Sequence, residues 1–259
     1  MKQYIVDAFA DRVFEGNPAA VCFPAQPLSE ERMQAITLEN ALPETAFALP
    51  AEGGWSLRWF TPKGEINLCG HATLAAAFAI TQFIDPQADT LRFGTLSGEL
   101  TVRRQDDLFE MSFPAYTLKP LEVTDEIADA LGARPREVWR ARDLLCVFDD
   151  AQTILDMQPD LQKVGRLKGA LMQVTAPGDG APFDCVSRTF GPKMDLPEDP
   201  VCGSGHCHIV PYWAQRLGKS ELVARQASPR GGTLYCRMEG ERVLLAGRAV
   251  LYAASELYL

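Results

Sequence analysis

The sequence predicts an α+β protein of two pseudo-repeated lobes, each a mostly antiparallel sheet wrapped around a buried central helix. One observation is an internal repeat: residues 58–66 (RWFTPKGEI) recur as residues 188–196 (RTFGPKMDL). A Cys-Gly step follows each copy, at Cys69-Gly70 and Cys202-Gly203. The second observation is an alanine-rich stretch, residues 72–80, which is apolar almost all round and therefore typical of a buried helix. Two similar lobes that face each other would place a reactive site in the cleft between them.

Alternating and apolar runs predict the elements of the first lobe. Ser29 is the expected N-cap of a helix that ends near Asn40, because acidic residues follow it in the first turn. The apolar stretch after Gly70-His71 is the expected central helix. The predicted strands are residues 4–9, 19–23, 45–49, 55–60, 90–93, 99–103 and 108–113.

Residues 114–120 contain two prolines and break the strand pattern, so they are the expected linker. The resulting lobes are residues 1–115 and 116–259, and the last strand is a candidate to return to the N-terminal lobe. Helices are expected at residues 125–131 and from about 205 to 217. Strands are expected at residues 144–148, 169–176, 183–189, 233–238, 242–246 and 249–251.

The bulk composition favours a small-molecule partner. The chain has 259 residues, 47% hydrophobic content and a net charge of −9, and it contains no basic run. An acidic surface attracts neither nucleic acid nor an anionic membrane, so neither is an expected partner. The first residues lack the apolar stretch of a signal peptide, and no apolar run is long enough to span a bilayer. We expect a cytoplasmic protein.

The seven cysteines form an odd set without the spacing of a disulfide framework, which predicts reduced thiols. Four of them lie within or beside apolar strand-like runs and are expected to be small buried hydrophobic residues: Cys22, Cys146, Cys185 and Cys236. Cys69 and Cys202 differ, because each precedes a glycine at the predicted start of a helix.

Several motifs together resemble the phenazine-biosynthesis PhzF-like isomerases, in the same order and over nearly the whole chain. They are Asp7-Ala-Phe9, Gly16-Asn17-Pro18, Glu44-Thr45-Ala46-Phe47, Phe60-Thr-Pro62, Cys69-Gly70-His71-Ala72-Thr73 and residues 198–205 (EDPVCGSG). The resemblance implies the diaminopimelate epimerase-like fold, a homodimer and an isomerase that needs no cofactor. It agrees with the two-lobe repeat found in the chain itself.

The resemblance implies that Glu44 is a general acid/base that moves a proton between two carbons of a cyclic substrate. Apolar neighbours of Glu44 could desolvate its carboxyl group and raise its pKa toward a useful range. From the chain alone, a surface glutamate at a turn is the favoured interpretation, and only the resemblance shifts the preference to a catalytic residue. Pro43 departs from the family pattern, in which serine is more frequent.

The two glycine-rich turns are the expected substrate-binding segments. Unpaired N–H groups at a helix N-terminus can hold a carboxylate or a developing enolate, and glycine lets the backbone approach closely. This reasoning selects Gly70 beside the expected catalytic His71 in the first lobe, and Gly203, Ser204 and Gly205 in the second. The family motif adds Asp199 as a catalytic residue that could orient His71, and Asn17 as a substrate-binding residue.

Cys69 and Cys202 support a rival function. In diaminopimelate epimerase and proline racemase, which share the implied fold, cysteines at the matching places form a pair that exchanges the α-proton on opposite faces. A helix N-terminus lowers the pKa of a thiol, so both positions suit that chemistry. The alternatives are therefore a Glu44 isomerase, a Cys69/Cys202 amino-acid racemase or epimerase, and a non-catalytic small-molecule binding protein.

A metal site is a further alternative, formed by Cys202, His206, Cys207 and His208, with Cys69 and His71 completing it. Adjacent residues of a helix point in different directions, and the chain has no Cys-x-x-Cys pair. We therefore expect neither a metal nor a cofactor.

Overall fold

The computed structural model describes residues 1–180 and 182–259, and these form two compact units. The first unit is Met1–Ser112 with Ala246–Leu259, and the second is Phe113–Leu245. The C-terminal strand therefore belongs to the unit that contains the N-terminus. The prediction of an α+β fold with two lobes is confirmed.

The first unit contains two helices, and most of its strands are antiparallel. Its elements are β1 (Lys2–Ala8), β2 (Asn17–Phe23), α1 (Glu30–Asn40), β3 (Glu44–Ala51), β4 (Gly54–Thr61), β5 (Gly64–Ile66), α2 (Gly70–Phe83), β6 (Thr90–Thr95), β7 (Gly98–Gln105) and β8 (Leu108–Pro114), which crosses the unit boundary. The last strand of the chain, β18 (Ala249–Glu256), pairs antiparallel with β1.

The second unit repeats this order with shorter peripheral helices. Its elements are β9 (Lys119–Leu121), α3 (Asp125–Leu131), β10 (Glu137–Arg140), β11 (Leu144–Val147), α4 (Ala151–Asp156), α5 (Leu161–Val164), β12 (Met172–Gly180), β13 (Phe183–Gly191), β14 (Leu196–Asp199), α6 (Gly203–Leu217), β15 (Glu221–Gln226), β16 (Gly232–Glu239) and β17 (Arg242–Gly247). A 3₁₀ turn, Pro192–Met194, separates β13 from β14.

The pairing of strands is the same in both units. In the first unit, β1–β2 is antiparallel, β2–β3 is parallel, β3–β4 and β4–β5 are antiparallel, and β4 also pairs parallel with β6. In the second unit, β10–β11 is antiparallel, β11–β12 is parallel, β12–β13 and β13–β14 are antiparallel, and β13 also pairs parallel with β15. The last pair of each set, β6–β7 and β15–β16, is antiparallel. The internal sequence repeat is thus a repeat of topology.

Each unit buries one central helix against its strands, as the apolar pattern predicts. Helix α2 is buried on nearly all sides, and its alanines allow β1, β2 and β3 to approach closely. Helix α6 buries eight of its residues and contacts β12, β13, β15 and β16, although it contains Pro211. Among the described helices, none has both the length and the apolar character that crossing a membrane requires.

The sequence analysis did not predict several short elements, including a strand within the expected linker. Residues 119–121 of the predicted linker form β9, which pairs with β10. Strands β5, β10, β14 and β15 and helices α4 and α5 were not predicted, because three- to six-residue elements carry too little periodicity. The Ser29 cap was predicted correctly, since its side chain accepts a hydrogen bond from the Arg32 N–H.

The structure corrects the alignment of the two repeat copies. Arg58 forms a bidentate ion pair with Glu65, at 2.6 and 2.7 Å, and Arg188 forms one with Glu198, at 2.7 and 2.9 Å. The counterpart of Glu65 is therefore Glu198, and Asp195 instead ends the 3₁₀ turn in a left-handed conformation. The extra residues of the second copy lie in this turn, not in the approach to Cys202 as the sequence suggested.

Candidate active site

The start of helix α2 fixes Cys69 and His71 in the first unit. Cys69 is the N-cap residue, with extended backbone angles, and Gly70 is the first helical residue. Thr73 ties this turn together, because its N–H and its hydroxyl both donate to the Cys69 carbonyl, at 3.1 and 2.6 Å. The two side chains are consequently buried at the positive end of the helix.

Glu44 is the first residue of β3, and the chain reaches it through a tight reversal after α1. Ala41 ends that helix in the left-handed conformation, with φ of 50°. Asn40 then donates a hydrogen bond to the Thr45 hydroxyl at 3.0 Å, which fixes the start of the strand. The parallel register places Glu44 beside Ala19 of β2.

The structure brings three predicted residues together. The Glu44 Oε2 atom lies 2.9 Å from His71 Nε2, and the Cys69 Sγ atom lies 3.6 Å from His71 Nδ1. The side chains of His71 and Glu44 are 10% and 18% exposed, so the cluster is enclosed yet reachable. His71 therefore links a carboxylate on one ring nitrogen to a thiol on the other.

Burial alone would lower the pKa of His71, but the Cys69 sulfur and the Glu44 carboxylate raise it well above its usual range. These two neighbours therefore favour the protonated form of the imidazole. Burial raises the pKa of Cys69, and the interaction with His71 opposes this only in part. The expectation that the helix N-terminus would lower this pKa is wrong, because desolvation of the thiolate outweighs the helix dipole.

Asn17 is the first residue of β2 and is 1% exposed. It lies two residues before Ala19, the register partner of Glu44. Its assignment as a substrate-binding residue stays a prediction.

The second glycine-rich turn begins helix α6. Cys202 is its N-cap, and the sulfur accepts a hydrogen bond from the Gly205 N–H at 3.3 Å. The Ser204 Oγ atom lies 3.4 Å from the same sulfur. Glycine at position 205 leaves room for the buried Gln173 side chain, which a Cβ atom would displace. Burial raises the pKa of Cys202 well above its usual range, and the Asp199 charge adds to this.

Asp199 ends β14 and is held close to Cys202. Its carboxylate accepts from the Val201 N–H at 3.2 Å, and its carbonyl accepts from the Gln226 side chain at 2.6 Å. Gln226 also accepts from the Cys202 N–H at 2.8 Å, so one buried amide fixes both residues. The proposed interaction of Asp199 with His71 stays a prediction.

The sequence analysis missed the polar residues that support this turn. Arg142 and Asp143 stand directly before β11, and the Arg142 guanidinium donates to the Ser204 hydroxyl at 2.9 Å. The sequence carries no local signal for this contact, because Arg142 and Ser204 are 62 residues apart. Gln173 lies within a predicted strand and Gln226 ends β15, which was not predicted, so neither residue carried a signal.

Glu44, Cys69 and His71 are also the residues that could hold a metal. Their donor atoms all lie within 4.8 Å of one another, and a set of one oxygen, one sulfur and one nitrogen suits zinc. Among the described residues, Cys202, His206, Cys207 and His208 do not form such a cluster of donor atoms. There the Nδ1 atoms of His206 and His208 pair with the Cys202 and Ser204 carbonyls, at 2.8 and 3.1 Å.

Comparison with known proteins shows the family to which the chain belongs. The family model for phenazine biosynthesis-like proteins matches residues 6–255. An uncharacterized isomerase of Pseudomonas aeruginosa is 48% identical over 98% of this chain and 97% of its own length. One of Halalkalibacterium halodurans is 40% identical, covering 99% of this chain and 98% of its own. The crystal structure of a PhzF family protein from Enterococcus faecalis superposes with a TM-score of 0.97, at 44% identity, over 100% of this chain and 99% of that one.

The fold, the family model and the relatives named as isomerases agree with one another. The chain belongs to the phenazine biosynthesis-like family and is an isomerase.

Proposed function

We propose that the enzyme shifts a proton within a small carboxylate-bearing substrate, without a cofactor, and that Glu44 is the general acid/base. The observation that carries this proposal is the 2.9 Å approach of the Glu44 carboxylate to the His71 ring in an enclosed cluster. A carboxylate there can take a proton from one carbon and return it to another carbon of the same molecule.

His71 supports the transfer through its charge. Because its pKa is raised, the ring favours the imidazolium form and carries a positive charge beside the Glu44 side chain. The same cation, together with the positive end of α2, stabilises the negative charge that develops on the substrate when the proton leaves. Electrostatic stabilisation of this kind is preorganised, since β3 and α2 fix both side chains.

The raised pKa values of the two cysteines argue against the racemase alternative. A thiol pair that exchanges an α-proton needs one thiolate as the base. Burial raises the pKa of both Cys69 and Cys202 and so disfavours the thiolate form at each position.

The test compares isosteric variants of the full-length protein. Glu44→Gln keeps the shape of the side chain and removes the base, so solvent-deuterium incorporation into the substrate should fall by at least about a hundredfold, the scale of general acid–base catalysis. Glu52→Gln, at the exposed turn between β3 and β4, is the matched control and should keep full activity.

Two cysteine variants separate the alternatives. Cys69→Ser and Cys202→Ser should each retain measurable exchange if Glu44 is the base. Exchange that survives in Glu44→Gln and disappears in either serine variant would assign the reaction to the thiol pair instead.

A further inference from the structure

Three side chains of the first unit converge as the ligands of one metal ion would. One donor atom each of Glu44, Cys69 and His71 lies within 4.8 Å of the other two. Glu44 begins β3, whereas Cys69 and His71 lie at the start of α2, which packs against that strand. The convergence is therefore built into the fold of this unit.

The contact between Glu44 and His71 differs from that of an ordinary hydrogen-bonded pair. The Glu44 Oε2 atom is buried and lies 2.9 Å from His71 Nε2, yet it accepts no hydrogen bond from the described residues. A desolvated carboxylate oxygen without a donor is unfavourable. A cation that is coordinated by both atoms would satisfy this oxygen.

The separations of the donor atoms are close to those of a zinc site. Zinc bonds of about 2.0–2.3 Å at tetrahedral angles would separate the nitrogen from the oxygen by about 3.3 Å and from the sulfur by about 3.5 Å. In the structure, His71 Nε2 lies 2.9 Å from the Glu44 oxygen and 4.0 Å from the Cys69 sulfur. Both separations differ from the tetrahedral values by about 0.5 Å or less, so small side-chain movements would complete the site.

The donor set selects zinc over hard cations. Thiolate and imidazole are ligands that suit zinc, whereas magnesium and calcium take oxygen ligands. A thiol that coordinates zinc is deprotonated, so the proton of Cys69 and that of the coordinating His71 nitrogen leave to solvent. One carboxylate and one thiolate then balance the two charges of the ion, and the occupied site is neutral in its enclosed surroundings.

The internal repeat supplies a natural comparison in the second unit. The Cys-Gly steps make Cys202 the counterpart of Cys69 and Ser204 the counterpart of His71. The pairings β3–β4 and β12–β13, aligned at the repeat, place Leu171 where the first unit has its carboxylate. The cysteine is thus present in both units, but the carboxylate and the imidazole are present only in the first.

We propose that Glu44, Cys69 and His71 form a binding site for Zn²⁺, and that the bound ion inhibits the enzyme by occupying the Glu44 carboxylate. Three protein ligands leave the fourth position of a tetrahedral ion to water. The binding is independent of the proposed function, whereas the inhibition rests on it, because it requires Glu44 to be the base. The ion is therefore an inhibitor and not a cofactor.

The experiment measures metal uptake by the full-length protein in equilibrium dialysis against zinc chloride, with the free concentration set by a chelator. The wild type should take up a single ion per chain. Cys69→Ser and His71→Gln should each weaken binding by about a hundredfold, the share of one ligand in a site of this kind. Cys202→Ser is the matched control and should bind zinc as the wild type does, and magnesium chloride should not compete.

Cobalt chloride is the second probe, because a thiolate ligand gives Co²⁺ a charge-transfer absorption band. The wild type and Cys202→Ser should show this band, and Cys69→Ser should lose it. Absence of zinc uptake by the wild type would overturn the site, and so would unchanged affinity in folded Cys69→Ser and His71→Gln. If neither variant folds, the wild type decides, since a bound cobalt ion without the thiolate band would also overturn the site.

The inhibition is tested separately from the binding. Zinc chloride should suppress solvent-deuterium exchange into the substrate by the wild type, and excess chelator should restore it. Exchange that continues while zinc occupies the cluster would overturn the inhibition and would count against Glu44 as the base. The dialysis and cobalt results need no substrate, so failure of the proposed function leaves them unchanged.

Discussion

Replacing Arg188 by methionine should lower the free energy of unfolding by about 3–5 kcal/mol, the cost of leaving a buried ion pair with one partner. The Arg188 side chain is 8% exposed, and the carboxylate of Glu198 is 17% exposed. The Nη1 atom also donates to the Ile154 and Met157 carbonyls, at 3.1 and 2.7 Å, near the end of α4. Methionine keeps the apolar stem but leaves a carboxylate and two carbonyls without their donor.

The repeat provides a matched comparison at Arg58. Its side chain is 29% exposed, and its second carboxylate partner, Glu30, is 74% exposed. Solvent screens the Arg58–Glu30 ion pair, so Arg58→Met should lower the free energy of unfolding by only about 1–2 kcal/mol. The two variants make the same chemical change at equivalent positions of the two units.

Urea unfolding followed by circular dichroism measures both variants, with thermal unfolding as a second readout. At about 2–4 °C per kcal/mol for a large domain, Arg188→Met should melt about 10 °C below the wild type. Arg188→Met with Glu198→Gln should recover part of the loss, because no unpaired charge remains. Equal destabilisation by the Arg58 and Arg188 variants would refute the reasoning from burial.

Two further predictions concern pH. Burial lowers the pKa of His206 to about 4, so its contribution to stability is complete above pH 6.5 and is lost as the pH falls from 6.5 toward 4. The free energy of unfolding falls by about 3 kcal/mol over this range. The urea midpoint of His206→Leu should therefore fall less steeply with decreasing pH than that of the wild type. Parallel curves for the two proteins would contradict this. Burial raises the pKa of Cys146 to about 12, so its contribution is complete below about pH 8.5 and is lost as the pH rises toward 12. Cys146→Ala should reduce the alkaline slope of stability by up to about 1.4 kcal/mol per pH unit, and an unchanged slope would show that this thiol is not desolvated.

Much of the fold could be predicted because its signals are local or repeated. The Ser29 cap and the apolar residues of α2 specify their helices through their own sequence, and the Cys-Gly steps mark equivalent points of the two units. The alignment failed at Glu198 because three-dimensional pairing, not residue spacing, identifies the partner of Arg188. Short strands such as β14 form only when neighbouring strands are present.

The sequence predicted three residues that the structure brings together, but it did not predict their electrostatics. The motifs identify Glu44, Cys69 and His71 as candidate site residues, and β3 and α2 bring their side chains together. The protonation of the thiols depends on burial, which a helix N-terminus in a sequence does not reveal. Arg142 was missed because its contact with Ser204 spans 62 residues.

The most direct test of the central claim is proton NMR of the wild-type enzyme in deuterated water with a mixed panel of candidate substrates. The panel contains amino acids, diaminopimelate and dihydro-hydroxyanthranilate, and the spectrum shows which carbon-bound proton disappears or moves. The Glu44 isomerase predicts loss or migration of a proton on the cyclic dienyl acid. Loss at an amino-acid α-carbon, with the cyclic acid unchanged, would contradict it and make the enzyme a thiol racemase.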